Sequence, residues 1–136
     1  THLGSNFIIG GQICGQEHAL MMVYPVGNYI RASEIKPFFQ LGETKYGKPI
    51  LDRLIRNETS LGDAARCALV SFDSTMKSDL TVGPPIDLVV YKKDSIQISL
   101  EEHLQFKTPF FSDLSSKWSE GLRNLFKELP KFDWEK

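Results

Sequence analysis

"ALVSFDSTMKSDLTVGPPIDLVVYKKDSI", residues 68–96, is the stretch on which the fold turns. Leading into it, Leu61, Ala64, Ala65, Ala68, Leu69, Phe72 and Met76 recur at the spacing of one helix face. "VGPP" then breaks the chain, "IDLVVY" reads as a strand, and "KKDS" as the turn into a second one, "IQISL" at 96–100. A helix followed by a hairpin is therefore expected here.

Working outward, Ser60 with Asp63 three residues on has the form of a capping box, which starts this helix. Pro49 suits the first turn of a shorter helix before it, carrying Ile50, Leu51, Leu54 and Ile55. Upstream lie "FIIGGQI" (7–13), "ALMMVY" (19–24) and "YIRAS" (29–33), separated by the turns "GQEH" and "PVGN", which read as an antiparallel meander. The unbroken run "ALMMVY" calls for cover on both of its faces. Downstream, Leu114, Trp118, Leu122, Leu125, Phe126 and Leu129 stripe a last helix that Pro130 ends. Three strands, two helices, two strands and a tail helix make an α+β protein rather than an alternating one. The expected sheet joins Phe7–Ile13, Ala19–Tyr24 and Ile86–Tyr91. The helix from Ser60 to Met76 is expected to pack across it through Ala64, Ala68 and Phe72.

Bulk properties narrow the function. A length of 136 residues is one domain or part of one, and a net charge of -1 gives no electrostatic basis for binding nucleic acid or an anionic membrane. Cys14 and Cys67 each sit among apolar neighbours and are expected as free, buried thiols. His2, His18 and His103 lack ligand-like spacing, so neither a metal nor another cofactor is expected. With no signal peptide and no apolar run of membrane length, the expected location is the cytoplasm.

"GETKYGKPILDR" (42–53) and "DSTMKSDLTVGPP" (73–85) are long and unusual, and with "GGQICGQ", "YPVGNYIRAS" and "LPKFDW" they resemble the bacterial proteasome-type proteases of the Anbu (ancestral beta subunit) group. The resemblance covers nearly the whole chain. It implies the N-terminal-nucleophile hydrolase fold, a four-layer αββα arrangement, of which this chain resembles the C-terminal half. It further implies a threonine peptidase that hydrolyses amide bonds of peptide substrates, with subunits joined side by side in rings or spirals. The family's nucleophilic threonine, and the aspartate and lysine that tune it, belong to the preceding half.

Two local assignments follow from the resemblance. Asp79 matches an aspartate that helps hold the terminal amine and threonine, which a carboxylate does by a charge-assisted hydrogen bond. Its alternative role is to end the helix before "VGPP". The wider proteasome pattern has a hydroxyl residue three positions later, where this chain has Val82, with Thr81 one position earlier. Gly42 and Glu43 stand where those enzymes have a glycine-serine loop; Glu43 is not serine, and its other role is to favour the positive end of the following helix. Cys67 is expected in the core, and Asp73 is expected to find a Lys, an Arg or a backbone amide.

Thr1 poses the competing possibility, since a terminal threonine can be activated by its own amine. Glu17 and Lys36 could be forced into the acid and lysine roles, but neither has the family's surrounding motif. Three functions thus stand side by side: a peptidase subunit without its own nucleophile and inactive alone, a non-catalytic assembly subunit, and a small enzyme using Thr1. A lone half-fold is not expected to be a stable monomer, because the "FIIGGQI" sheet then lacks its partner sheet.

Overall fold

The computed structural model describes residues 4–136, so the readings on Thr1 and His2 lie outside the described residues. Strands β1 (Phe7–Gly11), β2 (Ala19–Val23) and β3 (Tyr29–Arg31) precede helices α1 (Lys48–Leu54) and α2 (Leu61–Ser78). Strands β4 (Ile86–Tyr91) and β5 (Ile98–Leu104), helix α3 (Pro109–Glu128) and a 3-10 turn (Asp133–Glu135) complete the order, which is the α+β order read from the sequence.

The first sheet is the expected meander, with β1 antiparallel to β2 (Phe7 opposite Val23) and β2 antiparallel to β3 (Met22 opposite Ile30). Its burial is incomplete. Every residue of β1 and β3 is exposed, and β2 is half-buried along its length.

The single sheet expected from the sequence is corrected to two. Among the described residues strand β4 pairs only with β5, antiparallel, in a separate two-stranded sheet. The short turn after Tyr91 makes β5 the nearest edge for β4, while the residues that follow β1 meet this hairpin through polar side chains. Gln12 is the hub: Tyr91 Oη donates to its Oε1 at 2.6 Å, the Asp94 amide donates to the same oxygen at 2.8 Å, and Gln12 Nε2 donates to Asp94 Oδ1 at 2.6 Å. Lys93 pairs with Glu17 beside it, at 3.0 Å. Strand β5 also begins later and runs further than "IQISL". Asp94 and Ile96 are left-handed, at φ +65° and +49°, and a register shift at Val90/Tyr91 moves the pairing to Ile98. A β-branched residue rarely takes that conformation, so the sequence gives no warning of it.

Helix α2 starts as read. The Ser60 hydroxyl accepts from the Asp63 amide at 3.1 Å and donates to the Asp63 carboxylate at 2.7 Å. Its packing face is corrected, because α2 lies between two small cores rather than across one sheet. On one side Leu69 joins Ile86, Leu104 and Phe111, with Met76 against them. On the other, Cys67 joins Leu51 and Ile55 of the α1 region, with Ala64 against them. Phe72 faces outward and is exposed. Cys67 is buried as expected, whereas Cys14 is exposed, because it follows β1 in a turn that Gly15 closes at φ +78°.

Gly47 fixes how α1 approaches α2. A β-carbon there would lie 2.1 Å from Ser71 Oγ and 3.0 Å from the Ser71 carbonyl oxygen, so only glycine lets the loop seat on the helix.

Candidate functional site at the end of the second helix

Helix α2 delivers Asp79 to its own C-terminus. The residue is the C-cap, with extended backbone, and its amide donates to the Thr75 carbonyl at 2.8 Å. Its Oδ1 then accepts twice from Thr81, from the amide at 2.8 Å and from the hydroxyl at 2.6 Å. Both bonds favour the ionised carboxylate, the hydroxyl most, and the nearby Lys45 ammonium adds to them, so the Asp79 pKa lies below its ordinary value. A carboxylate held ionised in this way is a weak proton acceptor, suited to orienting a cation rather than to acid–base work.

The loop that carries "GETKYGKP" comes to the same helix. Gly42 turns it at φ +83°, and Glu43 Oε1 accepts from the Lys45 amide at 2.8 Å. Glu43 thus closes its own turn rather than serving the α1 terminus. Gly42 and Glu43 line a cavity of about 290 Å³ with Ala68, Phe72, Thr75 and Val82. The two motifs singled out in the sequence therefore meet around one space, with Thr75 and Val82 the residues of the second that reach it. Gln40, on the same wall, has a buried Oε1 with no hydrogen-bond partner among the described residues.

Thr81, two positions beyond Asp79, supplies the hydroxyl that the wider proteasome pattern has three positions beyond it. The signal was the Asp-x-Thr spacing itself, at which a side-chain carboxylate commonly accepts from the amide two residues on. Glu17 and Lys36 are not brought together. Glu17 pairs with Lys93, and Lys36 closes a turn with Ser33, whose hydroxyl accepts from the Lys36 amide at 3.2 Å. A larger open cleft of about 790 Å³, between β2, β3 and α1, adjoins the smaller cavity and shares Phe39 and Gln40 with it. Among the described residues no group of three or more His, Cys, Asp or Glu is arranged to hold a metal ion. No helix among them is long and apolar enough to cross a membrane.

No protein-family model and no curated protein matches the chain. Solved structures do match it. Anbu from Hyphomicrobium sp. strain MC1 is 49% identical, with a TM-score of 0.90 over 94% of this chain and 55% of that one. The helical assembly of the Anbu complex from Pseudomonas aeruginosa gives 47% identity and a TM-score of 0.91, over 97% of this chain and 55% of that one. Anbu (ancestral beta-subunit) from Yersinia bercovieri gives 42% identity and a TM-score of 0.90, over 94% and 54%. The chain thus spans about 55% of the length of these structures. By a likeness that runs along nearly all of its own length, the chain belongs to the Anbu family of proteasome-like ancestral β-subunits and resembles the C-terminal half of the subunit.

Proposed function

We propose that these residues are the C-terminal half of a proteasome-type threonine peptidase subunit of four-layer αββα fold. The nucleophile comes from the portion of the subunit that they do not match, and Asp79 orients the amine beside it. Peptides are the substrates, and copies of the subunit assemble side by side. The observation that carries the reading is the likeness to Anbu over about 55% of its length, joined to the state of the sheets.

Both sheets look for partners. Phe7, Ile8 and Ile9 are exposed together on β1, and a sheet of two strands such as β4–β5 is marginal alone. Several hundred Å² of bare apolar surface at roughly 25 cal/mol per Å² amounts to many kcal/mol, comparable with a domain's whole stability of about 5–15 kcal/mol. The helical assembly of the Pseudomonas aeruginosa relative supports self-association.

A threonine-directed β-lactone or epoxyketone probe with intact-mass measurement is the test. The chain alone is expected to stay unlabelled, and stoichiometric modification of Thr1 would overturn the reading. Glu43 and Val82, which depart from the hydroxyl residues of the wider proteasome pattern, favour a second reading as an assembly subunit without chemistry. Labelling of a threonine in the complementary segment, once bound to this chain, decides between the two.

A further inference from the structure

The stretch "PFFQLGE", residues 37–43, runs from the larger cleft to the cavity at the end of α2. Phe38 anchors it against the core of Leu51 and Ile55, and Gly42 turns it at φ +83°. Gln40 stands between these two fixed points. Its Oε1 is shut away from solvent and accepts no hydrogen bond among the described residues. A carbonyl oxygen taken out of water without a donor is destabilising, and few such atoms persist in folded proteins. A leucine would fill much the same volume without that cost. The orphan oxygen calls for a donor from outside these residues.

Two observations bear on what supplies it. Gln40 lines the same cavity as Gly42, Glu43 and Val82, the space next to the Asp79 turn. The function proposed above brings the amine of the nucleophile-bearing portion to that place. Because Oε1 is out of solvent, its donor is one that stays packed against it, not a substrate that comes and goes through water.

We infer that Gln40 Oε1 accepts a backbone N–H from the nucleophile-bearing segment of the subunit, and so clamps that segment beside Asp79. The clamp rests on the proposed function and adds a second point of attachment to it. A backbone N–H is the fitting donor, because every residue but proline carries one and the bond then survives changes of side chain. Gln40 as a whole is only half-buried, and its last torsion is soft, so its oxygen can turn to meet an incoming N–H. The two contacts divide the task. Asp79 orients the terminal amine by charge, and Gln40 fixes the main chain behind it without touching the reacting atoms.

The test joins the portion of Hyphomicrobium Anbu that this chain does not match ahead of this chain, in one polypeptide, and follows amide hydrogen exchange. In the parent, the nucleophile-bearing segment is expected to be protected. Gln40→Leu keeps the volume and removes the acceptor. It is expected to speed exchange in that segment by about tenfold or more, with the α2 amides around Leu69 unchanged. Unchanged exchange in Gln40→Leu, or exchange that quickens equally along α2, would overturn the clamp and leave the proposed function standing. A nucleophile-bearing segment without protection in the parent would overturn both. A protected segment whose threonine no β-lactone probe labels would overturn the peptidase reading and leave the clamp standing.

Discussion

Ser115 Oγ donates to Asp73 Oδ1 at 2.5 Å, joining α3 to a carboxylate buried in α2. Lys77 completes the arrangement, with Nζ 2.8 Å from Asp73 Oδ2 and 2.9 Å from Ser119 Oγ. Asp73 has found the lysine expected from the sequence, on its own helix, and each of the two bonds a serine of α3. Asp73→Ala leaves the Ser115 hydroxyl without its acceptor and is expected to cost about 1–3 kcal/mol in urea unfolding with unchanged m. Lys77 is half in solvent, so Lys77→Ala should cost less than about 1 kcal/mol. Equal losses from the two substitutions would mean that the buried carboxylate is not the anchor.

The seat of Gly47 on α2 gives a second expectation. With Ser71 Oγ 2.1 Å from the position of a new β-carbon, Gly47→Ala forces α1 away from α2 and should cost about 1–3 kcal/mol. Removing that hydroxyl with Ser71→Ala in the same chain should return only part of the loss, because the Ser71 carbonyl and Thr75 Oγ1 remain at 3.0 and 3.1 Å. A double-mutant cycle measures the coupling, and strict additivity would sink the argument.

How far the sequence carried can be judged at individual residues. Ser60, Asp63 and Pro49 act over one turn of chain, so the starts of α2 and α1 were legible. The face of α2 was not. A helix between two cores needs two stripes, and periodicity alone does not say that Leu69 meets Ile86 while Ala64 and Cys67 meet the α1 region. The pairing of β4 was lost for a related reason, since which strand edge lies nearest is a long-range fact. Ile96 at φ +49° hid the true start of β5, and the charged "EEH" within β5 hid its end. At the candidate site the motifs around Gly42 and Asp79 were visible, but their meeting around one cavity came only with the helix packing.

The two thiols should behave oppositely. Burial of Cys67 pushes its pKa above the ordinary 9.0, while Cys14 is open to solvent. A group with a raised folded pKa holds its proton more tightly when folded. Its stabilising contribution is therefore present below pH 9.0 and is lost as the pH rises from there through the folded value. Ellman's reagent at neutral pH is expected to titrate one thiol quickly, with the second appearing only on unfolding. Rapid modification of both in the folded chain would place Cys67 outside the core.

Asp79 and Thr81 allow the site itself to be tested by pH. The Asp79 carboxyl is held below its ordinary 3.8, first by the Thr81 hydroxyl and then by the Thr81 amide. A lowered folded pKa means that the stabilising contribution is full above 3.8 and is lost only as the pH falls through the lower folded value. A carbon-detected NMR titration of the Asp79 carboxyl should therefore give a midpoint below 3.8. Thr81→Val removes the hydroxyl and keeps the amide, so the midpoint should rise part of the way back. Lys45→Ala should raise it less, since the ammonium contributes least of these. If Asp79 orients an amine in the assembled subunit, Asp79→Asn should slow threonine labelling by about tenfold or more, through misplacement of the reacting group. Thr81→Val, which leaves the charge in place but frees its geometry, should fall between the parent and Asp79→Asn. A titration midpoint at or above 3.8, or one that ignores Thr81→Val, would show that the hydrogen-bonded turn does not govern this carboxylate. Labelling at the parent rate in Asp79→Asn would reduce Asp79 to the end of a helix.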